Sequence, residues 1–183
     1  MTKMKTIPKS VIKLFFGSFF ALVILIAVTP SWAFNFPAAA WHRGDVCVAQ
    51  ENSRAAISKA LNSTNPNFET DIIDFVDQNG KRVGLVSHDY LMKRATGEDG
   101  AFSKKYNDLS KLPKNRANPE MSAEPFMTVI ELFDLIKERK AQGVTPTVSL
   151  DMKDEGKSAE EFSQWVVKLI QQYGFQQHVF ESS

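Results

Sequence analysis

The sequence predicts an α/β fold in which short strands alternate with helices and pair in parallel. Apolar runs of strand length alternate with longer segments whose apolar residues recur at helical spacing. Strands separated by helices in this way pair in parallel through right-handed crossovers. Several of the strand-like runs end in histidine or carboxylate residues, and the carboxyl ends of parallel strands are where barrel enzymes carry their chemistry.

Residues 1–33 are predicted to be a targeting segment that does not enter the fold. Basic residues precede an apolar run at 14–28, and the small residues Ser31 and Ala33 mark a cleavage site after Ala33. This pattern is typical of a signal peptide, so we expect a periplasmic or secreted protein. The alternative is an uncleaved helix that anchors the chain and gives it membrane contact, because the run from Val11 approaches the ~18 residues that span a bilayer.

Residues 34–183 form a segment of 150 residues, enough for one ordinary domain. They carry 18 basic and 21 acidic side chains and hence a net charge of −3, because four of the 22 basic residues lie in the leader. Nucleic-acid binding is not expected, since it needs concentrated positive charge. Cys47 is the only cysteine, which excludes an intrachain disulfide, and its apolar neighbours predict a residue packed near a strand end.

The first half of the domain is predicted as strand, helix, strand and strand. A short apolar run predicts a strand at 38–43, and apolar residues at helical spacing predict a helix at 51–61. A polar cluster at 62–66 ends this helix. A second strand at 68–76 leads through an Asn-Gly turn of the hairpin type into a third strand at 83–87.

The second half begins with a polar segment and then returns to regular alternation. Residues at about 95–125 show little periodicity and are predicted to be an irregular insertion. Amphipathic helices are predicted at 126–142 and 158–173, and each ends at a glycine. A fourth strand is predicted between them at 147–152, and a fifth begins at 179–181.

Carboxylates and histidines are spaced so that they can share one site. Glu69 and Asp71 are two residues apart on a strand, so both side chains point to one face and can reach one hard cation. His42 and His88 end two other strand-like runs, and histidine is the side chain best suited to proton transfer near neutral pH. Together with Arg43, these residues predict metal-assisted phosphoryl chemistry.

Four motifs, in this order and spacing, carry a family resemblance. They are WHRGDVCVAQENSRAAISKAL at 41–61, FETDI at 68–72, LVSHDYLMKRATGEDG at 85–100 and LDMK at 150–153. This set resembles the HRG, EN, ExD, HD-to-TG and acid-x-Lys pattern of the glycerophosphodiester phosphodiesterases. The resemblance covers roughly residues 40–183.

For the fold, the resemblance implies the N-terminal part of a TIM (β/α)8 barrel, about five βα units, preceded by the signal peptide or anchor helix. A complete barrel of this kind takes ~250 residues. We therefore expect residues 34–183 to form a partial glycerophosphodiester phosphodiesterase domain with an irregular insertion at about 95–125. Such a domain is either the N-terminal part of a longer enzyme or a truncated remnant.

For the site, the resemblance implies a role for nine residues around one bound Ca²⁺ or Mg²⁺ ion. They are the metal ligands Glu69, Asp71 and Asp151, the acid–base pair His42 and His88, the phosphate-binding Arg43 and Lys153, and Glu51 and Asn52 behind them.

For the activity, the resemblance implies metal-dependent hydrolysis of glycerophosphodiesters, which are small lipid-derived substrates, to glycerol 3-phosphate and an alcohol. The acid of the acid-x-Lys strand is usually Glu in this family, whereas Asp151 matches the sphingomyelinase D branch. A phosphodiesterase of the sphingomyelinase D or lysophospholipase D type is therefore the second hypothesis. The third is an inactive remnant, or a metal-binding protein without turnover.

Overall fold

The computed structural model describes residues 39–153 and 157–182. The predicted leader at 1–33 lies outside these residues. Within the described ranges, no helix combines the length and the apolar character that crossing a membrane requires.

A sheet of mainly parallel strands organises the described residues. Its strands are β1 (Trp41–His42), β2 (Phe68–Ile73), β3 (Leu85–Val86), β4 (Val148–Met152) and β5 (Val179–Ser182). The order β1, β2, β4, β5 is both the chain order and the spatial order, and each neighbouring pair is parallel. Successive parallel strands lying side by side are the arrangement from which a TIM barrel is built, so the predicted α/β architecture is confirmed.

The hairpin-type turn predicted between the second and third strands is confirmed, because β3 pairs antiparallel with β2. β2 pairs with β4 on one side and with two strands on the other. On that other side, β1 pairs with the start of β2, and β3 pairs with the end of β2, where Ile72 faces Val86. The connection contains a tight turn, closed by a 2.8 Å hydrogen bond from Asp77 N to Lys81 O, and is too short for a crossover helix. The described sheet therefore holds four parallel strands rather than five βα units.

In the described residues, three longer helices pack with the sheet: α1 (Arg54–Leu61), α4 (Val129–Ala141) and α5 (Lys157–Tyr173). Between α1 and α4 lie three short helical pieces, in or next to the predicted insertion: α2 (Lys93–Thr96), α3 (Phe102–Lys105) and a 3₁₀ turn (Leu109–Lys111). α1 begins later than predicted because Asn52 has φ +56 and Ser53 caps the helix, accepting a hydrogen bond from Ala56 N. Thr128 and Glu131 form a capping box that starts α4.

Two apolar clusters hold these elements together. The larger one joins β2, β4 and β5 to the longer helices through side chains such as Phe68, Phe133 and Phe162. The smaller one packs the β2–β3 hairpin against the insertion, where Met92 and Phe102 are fully buried. The insertion is thus fastened to the sheet beside the carboxyl end of β2.

Candidate metal centre

Three carboxylates from the neighbouring strands β2 and β4 converge at one place on the sheet. Glu69 and Asp71 share one face of β2, and the parallel register places Asp71 directly beside Asp151 on β4. One oxygen from each of the three lies within 4.8 Å of the others. Asp71 is almost fully buried, with 1% of its side chain exposed, whereas Glu69 and Asp151 are partly buried.

The cluster has the chemistry that a hard divalent cation requires. Asp71 Oδ1 is buried, and it contacts the Lys153 ammonium at 3.3 Å without the geometry of a hydrogen bond. Burial, together with the charge of Asp71, raises the pKa of Glu69, as expected where carboxylates face one another. Oxygen ligands at about 2.0–2.6 Å from Mg²⁺ or Ca²⁺ stand at most about 4–5 Å apart across the ion. The three carboxylates therefore fit such an ion.

Two basic side chains lie against the same carboxylates. Lys153 Nζ is 2.5 Å from Asp151 Oδ2 and 3.3 Å from Asp71 Oδ1. The hydrogen bond to Asp151, together with the charge of Asp71, raises the pKa of Lys153. Arg43 Nε is 3.0 Å from Asp71 Oδ2, although the angle is not that of a hydrogen bond. The two residues assigned to phosphate binding thus lie beside the three assigned to the metal.

Asn52 fixes the position of Asp71. Its Nδ2 donates a 2.9 Å hydrogen bond to Asp71 Oδ2, and its Oδ1 accepts hydrogen bonds from Thr70 Oγ1 and from Asp71 N. Asn52 is buried, so water does not compete for these contacts. The amide therefore orients one Asp71 oxygen, Oδ2, while Oδ1 faces Lys153 Nζ.

The loop after β1 depends on a glycine. Arg43 has φ +62 and Gly44 has φ +80, which turn the chain back so that Asn52 N reaches Arg43 O at 2.9 Å. A Cβ on Gly44 would stand 2.7 Å from the carbonyl carbon of Ala56 in α1. The absence of a side chain at Gly44 therefore allows the loop backbone to approach α1 closely. Cys47 lies exposed in the turn that follows, so its predicted packing is wrong.

Glu51 joins two arginines at one side of the cluster. Its Oε2 accepts from Arg43 Nη1 at 3.1 Å, and its Oε1 accepts from Arg94 Nη2 at 2.5 Å. Burial acts to raise the pKa of Glu51, but the hydrogen bonds and charges of Arg94 and Arg43 outweigh it and lower that pKa. Sequence reasoning assigned no role to Arg94, which is one of two adjacent basic residues, Lys93 and Arg94, within the HD-to-TG motif.

The two predicted catalytic histidines lie at or just beyond strand ends. His42 ends β1, and its Nε2 is 3.7 Å from Glu69 Oε2. His88 follows β3, and its Nδ1 is 2.6 Å from Asp89 Oδ1. Because β3 is antiparallel, its end returns toward the carboxylates, and Ser87 N donates a 3.0 Å hydrogen bond to Asp71 O. His88 therefore approaches the site through a hairpin rather than from a parallel strand end.

The insertion docks on the loop that carries Glu51. Gln50 is fully buried and exchanges hydrogen bonds with the backbone of Asn118, at 2.7 and 2.8 Å. Asn115 Nδ2 donates to Glu51 O at 2.9 Å. Sequence reasoning missed both amides, because an isolated Gln or Asn carries no periodic signal.

Solved structures with a similar fold are glycerophosphodiester phosphodiesterases. Two from Parabacteroides distasonis align with TM-scores of 0.57 and 0.53, at 14% and 21% identity, over 78% and 87% of this chain and 54% and 51% of theirs. A phosphodiesterase from Oleispira antarctica, solved in complex with the product sn-glycerol-3-phosphate, aligns with a TM-score of 0.53 at 22% identity over 75% of this chain and 53% of its own.

These comparisons confirm at the level of the fold the resemblance that the motifs indicate. The chain spans about half the length of the structures it matches, in keeping with a parallel sheet of four strands. No protein-family model matches the chain, and no curated protein matches it.

Proposed function

We propose that this protein is a metal-dependent phosphodiesterase that hydrolyses glycerophosphodiesters to glycerol 3-phosphate and an alcohol. The observation that carries the proposal is the convergence of Glu69, Asp71 and Asp151, whose oxygens lie within 4.8 Å of one another around the nearly inaccessible Asp71 carboxylate. The order of the motifs and the fold shared with phosphodiesterases support it.

In this proposal the carboxylates bind the cation and the basic groups bind the phosphate. Glu69, Asp71 and Asp151 would hold one Ca²⁺ or Mg²⁺ ion, which when bound supplies Lewis-acid stabilisation to a phosphoryl oxygen. Arg43 offers the phosphate a planar fork and Lys153 a point charge. Both basic groups balance carboxylate charge in this structure, and a bound cation would take over that balance and free them for phosphate.

The histidines provide the proton transfers. One ring takes the proton of the attacking hydroxyl, from water or from the substrate itself, and the other donates a proton to the leaving oxygen as the P–O bond breaks. Asp89 accepts from Nδ1 of His88, which leaves Nε2 of that ring to exchange a proton with substrate. His42 lies beside Glu69 with 72% of its side chain exposed, so it is accessible to a ligand.

The test is release of glycerol 3-phosphate from glycerophosphocholine by the purified chain, with and without divalent cations. We expect excess chelator to stop the release and added Ca²⁺ or Mg²⁺ to restore it. Unchanged release in chelator would remove the metal from the proposal. Metal binding without release from glycerophosphocholine or a second glycerophosphodiester would favour a binding protein without turnover.

A phosphodiesterase of the sphingomyelinase D or lysophospholipase D type is the second candidate, and Asp151 is the observation that favours it. The discriminating assay compares lysophosphatidylcholine and sphingomyelin with glycerophosphocholine at equal concentration. Faster release of choline from either of the two lipids would favour the second candidate. A preference for glycerophosphocholine supports the first.

We also propose that the protein is exported, on the strength of the leader at 1–33. N-terminal sequencing of the protein recovered from the periplasm or medium tests this directly. A mature chain beginning at Phe34 is the expected result. Recovery of the intact N-terminus in the membrane fraction would favour the anchored alternative.

A further inference from the structure

A continuous series of charged contacts connects His88 to the carboxylate cluster. The contacts run from His88 Nδ1 to Asp89 Oδ1 (2.6 Å), from Asp89 Oδ2 to Arg94 Nε (2.5 Å), from Arg94 Nη2 to Glu51 Oε1 (2.5 Å), from Glu51 Oε2 to Arg43 Nη1 (3.1 Å) and from Arg43 Nε to Asp71 Oδ2 (3.0 Å). Arg94 is the link that joins the histidine side of the site to the side that carries Glu51.

We propose that Arg94 is a positioning residue that holds the Asp89 carboxylate in place, and thereby fixes the tautomer and orientation of the His88 ring beside the carboxylate cluster. A carboxylate facing Nδ1 makes that nitrogen the protonated one in the neutral ring, so Nε2 stays open to accept a proton. The catalytic meaning of this role rests on the proposed function. The structural role does not depend on it.

The geometry distinguishes Arg94 from an ordinary surface ion pair. Its guanidinium contacts two carboxylates with two different nitrogens, a geometry that a lysine ammonium does not reproduce. Both acceptors are more enclosed than Arg94 itself, with Asp89 and Glu51 exposing 22% and 18% of their side chains. Each of them makes a second contact within the site, to His88 and to Arg43 respectively.

The scaffold around Arg94 is fixed from both sides. α2, which carries Arg94, follows the fully buried Met92, whose carbonyl accepts a 2.8 Å hydrogen bond from Thr96 N. On the other side, Asn115 donates to the backbone carbonyl of Glu51. Lys93, the adjacent residue of α2, instead pairs with Asp99, and both of those side chains are exposed. Lys93 is therefore a matched control for Arg94.

The direct test is ¹⁵N NMR of the histidine rings of the full chain at about pH 8, where an ordinary imidazole is mostly neutral. The chain has three histidines, so the His88 ring is assigned by comparison with His88→Ala. In the wild type and in Lys93→Gln we expect His88 to carry its proton on Nδ1. In Arg94→Gln we expect a substantial population with the proton on Nε2.

An unchanged His88 spectrum in a folded Arg94→Gln variant would overturn the proposal. Circular dichroism and thermal unfolding establish that the variants fold. If Arg94→Gln does not fold, Arg94→Lys carries the test, because it keeps the charge and loses the two-sided contact. A partial shift is then expected, and a wild-type His88 spectrum in Arg94→Lys would overturn the proposal.

Steady-state kinetics with glycerophosphocholine separate positioning of His88 from metal binding. We expect Arg94→Gln to lower kcat about 10–100-fold, the usual effect of losing a residue that orients a site group, with the metal Kd changed less than about twofold and Lys93→Gln unchanged. A metal Kd that weakens in step with kcat, or an unchanged kcat, would overturn the assignment. A wild-type chain without turnover or metal binding refutes the proposed function, and the His88 spectrum still decides the role of Arg94.

Discussion

The carboxylate half and the histidine half of the site are held in place by different means. The carboxylates stand on β2 and β4, where ladder register alone sets Asp71 beside Asp151. His42 is the last residue of β1, whereas His88 lies on the loop after β3 and is held by the side-chain contact to Asp89. Asp71 is nearly inaccessible whereas His42 is mostly exposed. The difference indicates that the sheet preorganises cation binding, while charged side-chain contacts position the His88 ring.

If the two halves are separable, replacing either histidine should change turnover and leave metal binding intact. We expect His42→Ala and His88→Ala each to lower kcat about 10²–10⁴-fold, the typical worth of a general acid or base, with an unchanged unfolding midpoint. His178→Ala is the control, because this third histidine lies before β5 and outside the cluster. Near wild-type kcat in either variant would exclude that histidine from the mechanism.

Replacing Asp151 tests the other half alone. Asp151→Ala should weaken Ca²⁺ or Mg²⁺ binding at least about tenfold, since the number of charged oxygen ligands sets the affinity. Asp151→Glu, which restores the residue usual in the resembling family, should hold or improve it. Calorimetric titration of both variants provides the measurement. Wild-type affinity in Asp151→Ala would mean that this residue is not a ligand.

Substituting two glycines with similar φ angles tests how closely the loop after β1 packs against α1. Gly44 and Gly97 have φ +80 and +82, but only Gly44 has atoms within 4 Å of an added Cβ. Gly97→Ala should cost about 1–2 kcal/mol of unfolding free energy, the penalty of the left-handed conformation. Gly44→Ala should cost about 2–5 kcal/mol, because overpacking against α1 adds to that penalty. Equal losses in urea unfolding would contradict the structural difference.

The smallest expected effect concerns Glu51, whose pKa is lowered in the folded state because Arg94 and Arg43 outweigh its burial. Because the pKa of Glu51 is lower in the folded state than its ordinary value of 4.5, ionised Glu51 stabilises the fold at pH values above 4.5. This stabilisation is lost as the pH falls through the folded-state pKa. Relative to Glu51→Gln, the wild type should be more stable by up to about 1 kcal/mol near neutral pH. This advantage should shrink below pH 4.5.

Urea unfolding of the wild type and of Glu51→Gln measures this difference in stability. The measurements run from about pH 3 to 7, the range in which an ordinary Glu titrates. Glu160→Gln is the control, because Glu160 lies exposed on α5. A stability difference that grows as the pH falls would contradict the assigned sign.

The sequence predicted well those features that depend only on backbone periodicity, such as which residues share one face of a strand. Strand periodicity puts Glu69 and Asp71 on one face, and the structure brings Asp151 to them as the motif resemblance implied. The count of five βα units was wrong, because it treated the apolar run ending in His88 as a parallel strand although the return strand of a hairpin has the same pattern. The Asn-Gly turn was the signal for the hairpin.

The partners of Arg94, Gln50 and Asn115 could not be predicted from the sequence. The contact of Arg94 with Glu51 and those of Gln50 and Asn115 join segments between 43 and 72 residues apart. No local pattern specifies which distant carboxylate or carbonyl a polar side chain will meet. The exposure of Cys47 was missed for a related reason. Its apolar neighbours indicated a strand end, whereas the left-handed residues Arg43 and Gly44 turn the chain toward solvent.

The central claim is that Glu69, Asp71 and Asp151 form one divalent-cation site. Its most direct test is calorimetric titration of Ca²⁺ and Mg²⁺ into the wild type, Asp71→Asn and Asp74→Asn. Asp74 follows β2 and pairs with Arg82 at 2.8 Å, so its variant controls for removal of a nearby carboxylate. We predict one ion per wild-type chain, unchanged binding in Asp74→Asn, and at least about a tenfold loss in Asp71→Asn, which removes a charged ligand. A folded wild type that binds neither ion, or equal binding in Asp71→Asn, would contradict the claim.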